Sequence, residues 1–113
     1  DINEHTSYVI EQDGSIISWF QIDYLNHDDL WLKKLFIVQS EALKLPDVLQ
    51  TIVKFANRNK VTTIYVHSKQ PVTDLLLSSF SFTLQPSQRL QPFQLAKRGN
   101  WWSYTFSDER KSG

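Results

Sequence analysis

Five short segments of the chain have alternating or closely spaced apolar residues, and two other stretches follow a helical spacing. The short segments are rich in β-branched and aromatic residues and predict strands; they are residues 8–12, 16–25, 30–38, 62–67 and 101–106. Asp13-Gly14 separates the first two segments, and both residues tolerate the positive φ that a tight hairpin turn needs. The first two strands are therefore expected to form an antiparallel hairpin.

The third predicted strand loses its alternation in the middle. Leu30 and Leu32 share one parity, whereas Leu35 and Ile37 share the other, and Lys33-Lys34 lies at the break. One extra residue in a strand moves every following side chain to the opposite face. The pattern therefore predicts a β-bulge near Lys33–Leu35.

Residues 45–59 give the clearest helical pattern. Their apolar positions follow the spacing of one helix face, and they are Leu45, Val48, Leu49, Ile52, Val53 and Ala56. Pro46 suits the first helical turn, and Asp47 complements the helix dipole there. A second, shorter helix is predicted to begin at Pro71, and residues 84–100 are predicted to form a loop.

The predicted order of elements is β-β-β-α-β-α-β. An antiparallel meander followed by a β-α-β unit implies a mixed sheet, because strands that are joined through a helix run parallel. The sequence thus predicts a single domain of the α+β class, with a central mixed sheet flanked by helices.

Charge is unevenly distributed, although the 113-residue chain has 12 basic and 12 acidic residues and no formal net charge. Residues 1–32 contain seven acids and no Lys or Arg, whereas residues 33–113 contain all twelve basic residues and five acids. Overall neutrality argues against broad non-specific binding of nucleic acid. The basic second part is compatible with a local anion site.

Composition disfavours several other kinds of site. The chain has no Cys, which excludes disulfides and thiolate metal sites and is compatible with a reducing cytoplasm. His27, Asp28 and Asp29 are adjacent and so poorly placed to bind one ion together, and no metal site is expected. No apolar run approaches the roughly 20 residues of a membrane span, and no signal peptide is visible. We therefore expect a cytoplasmic protein with no membrane contact.

The order of elements, with a bulge in the third strand just before the main helix, resembles the GCN5-related N-acetyltransferase (GNAT) superfamily. The resemblance covers about residues 8–106. It lacks the first strand and the first two helices of that superfamily, so the chain is expected to be one GNAT-like domain without those elements. The resemblance implies that acetyl-CoA, or another acyl-CoA, is the cofactor.

A degenerate form of the superfamily's cofactor motif, Arg/Gln-x-x-Gly-x-Gly/Ala, aligns with residues 44–49. Lys44 takes the basic position, while Asp47 and Leu49 replace the two glycines; Leu45-Pro46-Asp47 is also typical of an ordinary helix start. The resemblance implies that Lys44, Leu45 and Asp47 lie at the pyrophosphate, where a helix N-terminus binds anions. It further implies that main-chain groups of Phe36, Ile37 and Val38 hold the pantetheine.

The superfamily's second motif, a helix that ends in a Tyr general acid and a Gly-Phe pair, aligns with residues 70–82. Leu77 stands where the acid Tyr is expected, so Tyr65 or Tyr104 is the candidate replacement; both residues also suit a strand face or the core. Residues 30–38 contain no carboxylate. The nearby candidates for the general base are therefore Asp23, on the preceding strand, and Asp28 or Asp29, and Asp23 is the one singled out here.

The resemblance implies acyl transfer from acyl-CoA to an amine of a small molecule or peptide. The alternative is a non-catalytic GNAT-fold module for protein association, or half of a larger protein. A third hypothesis is single-strand nucleic-acid binding through positive charge and aromatic stacking; its residues are Arg89, Lys97, Arg98, Trp101 and Trp102. The neutrality of the chain favours a charged loop over that third hypothesis.

Overall fold

The structure is a computed structural model that describes residues 6–85 and 99–106. In this part of the chain the strands are β1 (Thr6–Gln12), β2 (Ser15–Tyr24), β3 (Asp29–Ile37), β4 (Thr63–Ser68), β5 (Thr83–Gln85) and β6 (Asn100–Thr105). The helices are α1 (Leu45–Arg58) and α2 (Pro71–Ser79), and a 3₁₀ helix (Gln39–Lys44) leads into α1. The two predicted helices and the five predicted strands are confirmed, with bounds that differ by two residues at most.

The strands form one mixed sheet in the order β1-β2-β3-β4-β6-β5. β3 and β4 are parallel, whereas the other neighbouring strands are antiparallel. A parallel pair needs a crossover connection, and α1 supplies it. This confirms the α+β class and the mixed sheet.

The hairpin and the bulge both have the predicted form. Asp13 and Gly14 have φ values of 53° and 80°, which matches a turn with positive φ at both central residues. In β3, Leu32 faces Ile22 and Lys34 faces Gln21, so Lys33 has no counterpart in β2. Lys33 is therefore the extra residue of the bulge.

The apolar stripe of α1 packs against one face of the sheet. Val48, Leu49, Ile52 and Ala56 are buried, as their spacing predicts. Buried residues of four strands and of both helices form one core cluster with them. Trp102 of β6 belongs to this cluster, and its indole N–H donates a hydrogen bond to Asp74 of α2. In the described part of the chain both α-helices thus lie on the same face, which we call the helix face.

Alternate residues of the strands point to the opposite face, which we call the second face. It carries a band of aromatic side chains in neighbouring strands, namely Trp19, Phe36, Trp31, Tyr65 and Trp101. Trp19 stacks on Phe36 with ring centroids 5.1 Å apart, and Trp31 contacts Trp101 at 5.6 Å. The second face is therefore aromatic where the helix face is mainly aliphatic.

One predicted loop contains a strand. Residues 84–100 were expected to be irregular, but Thr83–Gln85 forms β5 and pairs with β6 through Thr83↔Ser103 and Gln85↔Trp101. The prediction was wrong here because three residues are too few to show a period of two. Residues 86–98 of that predicted loop lie outside the described part of the chain.

Candidate functional site

The candidate site lies where the two parallel strands part. β3 and β4 pair from Asp29↔Thr63 to Leu32↔Val66, and the pairing ends there. Beyond this point β3 stays paired with β2, while the last residues of β4, His67 and Ser68, stay paired with β6. The bulge at Lys33 explains the divergence, since an extra residue bends its strand.

A cavity of about 410 Å³ occupies the opening. Its apolar walls come from β3, β4 and both helices, and include Leu32, Leu35, Ile37, Leu49, Val66, Leu76 and Leu77. Its polar lining contains Lys33, Lys34 and Lys69, together with His67, and no Asp or Glu of the described chain. An apolar slot with positive charge at its edge is suited to an elongated ligand that ends in an anion.

Main-chain groups of the diverging strands face this opening. The ladder between β3 and β4 stops at Leu32 and Val66, so the inner edges of residues 33–37 and 67–68 are no longer bonded to each other. Such strand edges bind extended chains that carry their own amide groups. The opening is therefore suited to a ligand with amides along its length.

The structure separates the residues predicted to bind the pyrophosphate. Leu45 lines the cavity. Lys44 and Asp47 line a smaller depression of about 230 Å³ between α1 and the β1–β2 hairpin. The Lys44 ammonium donates a hydrogen bond to the side-chain oxygen of Gln12 and forms an ion pair of 3.0 Å with Glu41. In this arrangement the predicted basic group is directed towards the hairpin.

The predicted pantetheine residues lie at the end of β3 and just after it. Ile37 lines the cavity. Phe36 points to the second face, where it is 56% exposed, and Val38 is 45% exposed. The Val38 amide donates to the Ile17 carbonyl, so it is held against β2.

The candidate acid and base residues are divided between the two faces. Asp23 and Tyr65 both lie on the second face, in register positions that flank Trp31. Burial raises the pKa of Tyr65, and the charge of Asp29 raises it further. The phenol is therefore protonated at neutral pH, and it is a weaker acid than an ordinary tyrosine. Tyr104 lies on the helix face, where its ring packs against Phe82 at 5.4 Å and Phe106 at 5.0 Å.

Asp74 holds the start of α2 against β6, which sequence reasoning did not predict. Its carboxylate accepts hydrogen bonds from the Trp102 indole N–H at 2.8 Å and from the Asn100 amide at 3.0 Å. Burial by itself would raise the pKa of Asp74, but hydrogen bonds from Trp102, Ser68 and Asn100, with the charge of His67, hold it below the usual value. This contact fixes one wall of the cavity.

Sequence reasoning also missed His67 and Lys69 as cavity residues. His67 packs on Trp101 with ring centroids 5.0 Å apart. Both residues follow the last β3–β4 pair, and a polar residue at the end of a buried parallel strand is the signal that could have found them. The sequence indicates Lys33 only as the place where the alternation of apolar residues in the third strand breaks.

Of the residues predicted to bind single-stranded nucleic acid, the structure describes only two. Arg89, Lys97 and Arg98 lie outside the described residues, while Trp101 and Trp102 are both buried and point to opposite faces.

No cluster that could hold a metal ion occurs in residues 6–85 and 99–106. A search of the same residues finds no helix of the length and apolar character needed to cross a membrane.

Comparison with protein-family models gives no match for this chain. Comparison with the curated proteins gives no match either.

Solved structures give clear matches. The N-acetyltransferase PseH of Campylobacter jejuni, in complex with acetyl coenzyme A, superposes with a TM-score of 0.75 at 16% identity, over 94% of this chain and 71% of that one. A GNAT-family acetyltransferase of Staphylococcus aureus gives 0.73 at 15% identity, over 92% and 69%. One from Elizabethkingia anophelis, with acetyl-CoA bound, gives 0.71 at 8% identity, over 91% and 77%. The chain therefore has the GNAT fold, which confirms the resemblance seen in the sequence.

Proposed function

We propose that this protein is an acyl-CoA-dependent N-acyltransferase, and that the opening between β3 and β4 binds the acyl donor. The observation that carries the proposal is the end of the parallel ladder at Leu32 and Val66, with a cavity of about 410 Å³ beyond it. Two of the similar structures are complexes with acetyl-CoA. Their fold is shared with this chain, so a common site for the donor is the simplest interpretation.

The residues of the opening fit an acyl-CoA. This ligand has an extended arm with two amides and an anionic end, and it supplies an acyl group activated as a thioester. Main-chain edges at residues 33–37 and 67–68 are suited to the amides, and the apolar walls at Ile37, Leu49 and Leu76 are suited to the arm. Lys34 and Lys69 offer positive charge to the anionic end.

The roles predicted from the sequence remain part of the proposal. Main-chain groups of Phe36 and Val38 would complete the binding of the arm beside Ile37. Leu45 would contact the donor from the start of α1. Lys44 would bind the pyrophosphate only after its ammonium had left the ion pair with Glu41. Asp47 would lie beside the pyrophosphate in the same arrangement.

The chemistry of transfer needs a base for the acceptor amine and a proton for the departing thiolate. Asp23 is proposed as the base, because a carboxylate on the second face can take a proton from an amine there. Tyr65 is proposed as the acid, because its phenol carries a proton at neutral pH and lies on the same face of the sheet as Asp23. Tyr104 is the second predicted acid, and it is packed among rings of the helix face.

Isothermal titration calorimetry with acetyl-CoA and with CoA tests the proposal. We expect one site per chain with a dissociation constant between about 1 μM and 1 mM, the range usual for enzyme substrates. Release of CoA in the presence of simple primary amines, followed with a thiol reagent, then tests transfer. Absence of binding at millimolar ligand would refute the proposed donor site.

A further inference from the structure

Lys33 has an unusual position in the sheet. It is the extra residue of the β3 bulge, and it follows directly on Leu32, the last residue of β3 to pair with β4. It also lines the cavity, together with Val66 and His67 of β4. A primary amine is thus attached at the point where the two strands begin to part.

The amine of Lys33 is held on the second face by two groups. Its nitrogen lies 3.6 Å from a carboxylate oxygen of Asp23 and 5.4 Å from the centroid of the Trp31 ring. The side chains of Lys33 and Asp23 are 27% and 18% exposed. Partial burial of both partners limits the number of positions that the amine can take, and a ring face stabilises a cation above it.

We infer that Lys33 is a site of self-acylation, at which the chain transfers the acyl group of bound acyl-CoA to its own side chain. The inference rests on the proposed function, because the thioester must lie in the opening. What the structure adds is that Lys33, a residue that lines the opening, already has its amine paired with a carboxylate. An acceptor that is part of the chain loses no translational freedom on reaching the acyl group, and such proximity accelerates bond formation.

Transfer of the acyl group to Lys33 exchanges a carbon–sulfur bond for a carbon–nitrogen bond. The Lys33 ammonium gives one proton to Asp23, and the neutral nitrogen then attacks the carbonyl carbon of the thioester. A carbon–nitrogen bond forms, the carbon–sulfur bond breaks, and CoA leaves. The nitrogen loses a second proton, which neutralises the thiolate, and Asp23 passes its own proton to water. The product is an uncharged amide at Lys33, so the ion pair with Asp23 is lost.

Lys34 provides an internal comparison, because it is the next residue and is exposed whereas Lys33 is half-buried. A small reagent that labels amines by accessibility, such as acetic anhydride, should modify Lys34 faster than Lys33. Acyl transfer within the site should reverse this order. The two lysines thus distinguish directed transfer from random chemical acylation.

The experiment incubates the full chain with acetyl-CoA and measures the acetylation of Lys33 and Lys34 by peptide fragmentation in a mass spectrometer. We expect acetylation of Lys33 to saturate with acetyl-CoA and to exceed that of Lys34 by about tenfold. Asp23→Asn should slow it at least about 100-fold, the lower end of what a positioned general base contributes. Lys54→Arg is the matched control, since Lys54 is exposed on α1 and outside the cavity.

A second readout does not depend on transfer. CoA without an acyl group should protect Lys33 from acetic anhydride and leave the labelling of Lys54 unchanged. Lys33→Arg, which keeps a cation beside Asp23, should remove the acetyl-CoA-dependent modification while thermal unfolding shows a folded protein.

The outcomes separate the two proposals. If CoA binds but Lys33 and Lys34 are acetylated at equal rates, or CoA gives Lys33 no protection, self-acylation is refuted and the donor site stands. If calorimetry shows no binding of acetyl-CoA, the proposed function fails, and self-acylation fails with it. Saturating, Asp23-dependent acetylation of Lys33 supports both.

Discussion

The two halves of the β3–β4 pair share their strands but differ in main-chain pairing, burial and charge. The paired half consists of residues 29–32 and 63–66, and its Leu30 and Ile64 are 0% and 1% exposed. The diverging half consists of residues 33–37 and 67–68, and it contributes lysines, a histidine and strand edges to a cavity. The same two strands thus form part of the core in one half and line a cavity in the other.

The difference has a local cause and two long-range ones. Lys33 adds one residue to β3, which bends the strand away from its partner. The diverging ends are then held apart because β2 keeps pairing with β3 and β6 keeps pairing with β4. An opening can therefore form within a sheet without loss of the strands on either side.

The largest expected effect is on stability in the paired half. Leu30→Ala should lower the free energy of unfolding by about 2–5 kcal/mol, because it leaves a cavity in the core. Leu35→Ala makes the same change in the diverging half, where the side chain is half-buried against the opening, and should cost about 1–2 kcal/mol. Urea denaturation measures both. Leu43→Ala is the surface control, since Leu43 is 97% exposed; equal losses at positions 30 and 35 would contradict the comparison.

The next effect concerns the wall that joins α2 to the sheet. Asp74→Ala should cost about 1–3 kcal/mol, because the indole N–H of the buried Trp102 loses its acceptor. Asp47→Ala removes a carboxylate from the first turn of the other helix, where it is exposed, and should cost about 0.5 kcal/mol. Urea denaturation of the two variants gives the difference. Similar values would show that Asp74 contributes only through the helix dipole.

The same contact predicts a dependence of stability on pH. The pKa of Asp74 is lowered in the folded protein, so its contribution is full above the ordinary aspartate value of about 3.9. It is lost as the pH falls through the lowered value of the folded state. The stability of the wild type relative to Asp74→Asn should therefore shrink below about pH 4. A difference that stays constant between neutral and strongly acidic pH would contradict this.

Filling the cavity of the diverging half should weaken ligand binding while the paired half keeps the fold. Thr73→Trp places a large ring in the cavity from α2 and should weaken acetyl-CoA binding at least tenfold, or about 1.4 kcal/mol. Leu75→Trp is the matched control on the same helix, because Leu75 is 72% exposed and does not line the cavity. Calorimetry measures both affinities. Equal affinities in the two variants would place the donor elsewhere.

The smallest expected effect comes from charge at the edge of the opening. Lys69→Glu should weaken acetyl-CoA binding about threefold, since an exposed charge contributes less than about 1 kcal/mol. Lys54→Glu changes the same charge on α1, away from the cavity, and should leave the affinity within error. The difference should disappear at high salt, because ions screen exposed charges. An effect of equal size in both variants would indicate that the net charge of the whole protein, and not a charge at the opening, determines the affinity.

Much of the fold could be predicted because it is determined by patterns of residues that are close in the sequence. Asp13-Gly14 encodes the hairpin turn, and the change of parity around Lys33 encodes the bulge. The buried face of α1 follows from its apolar spacing. These features depend on residues that are close in the sequence.

The site could be predicted less well because its contacts join distant residues. Lys44 matches a motif position, but its side chain is held by Gln12 of the hairpin, 32 positions away. Asp74 and Trp102 are 28 positions apart, and neither has a local pattern that signals the other. The role of His67 depends on where β3 leaves β4, which no segment of β4 reveals by itself.

The most direct test of the central claim is a titration of the isotope-labelled protein with acetyl-CoA, followed by backbone amide chemical shifts. If the diverging half binds the donor, amide signals of residues 33–37 and 67–70 should shift with one saturating dissociation constant. Those of the hairpin turn at Asp13 and Gly14 should remain in place. Unchanged signals in the diverging half at millimolar acetyl-CoA, or shifts confined to other regions, would contradict the account.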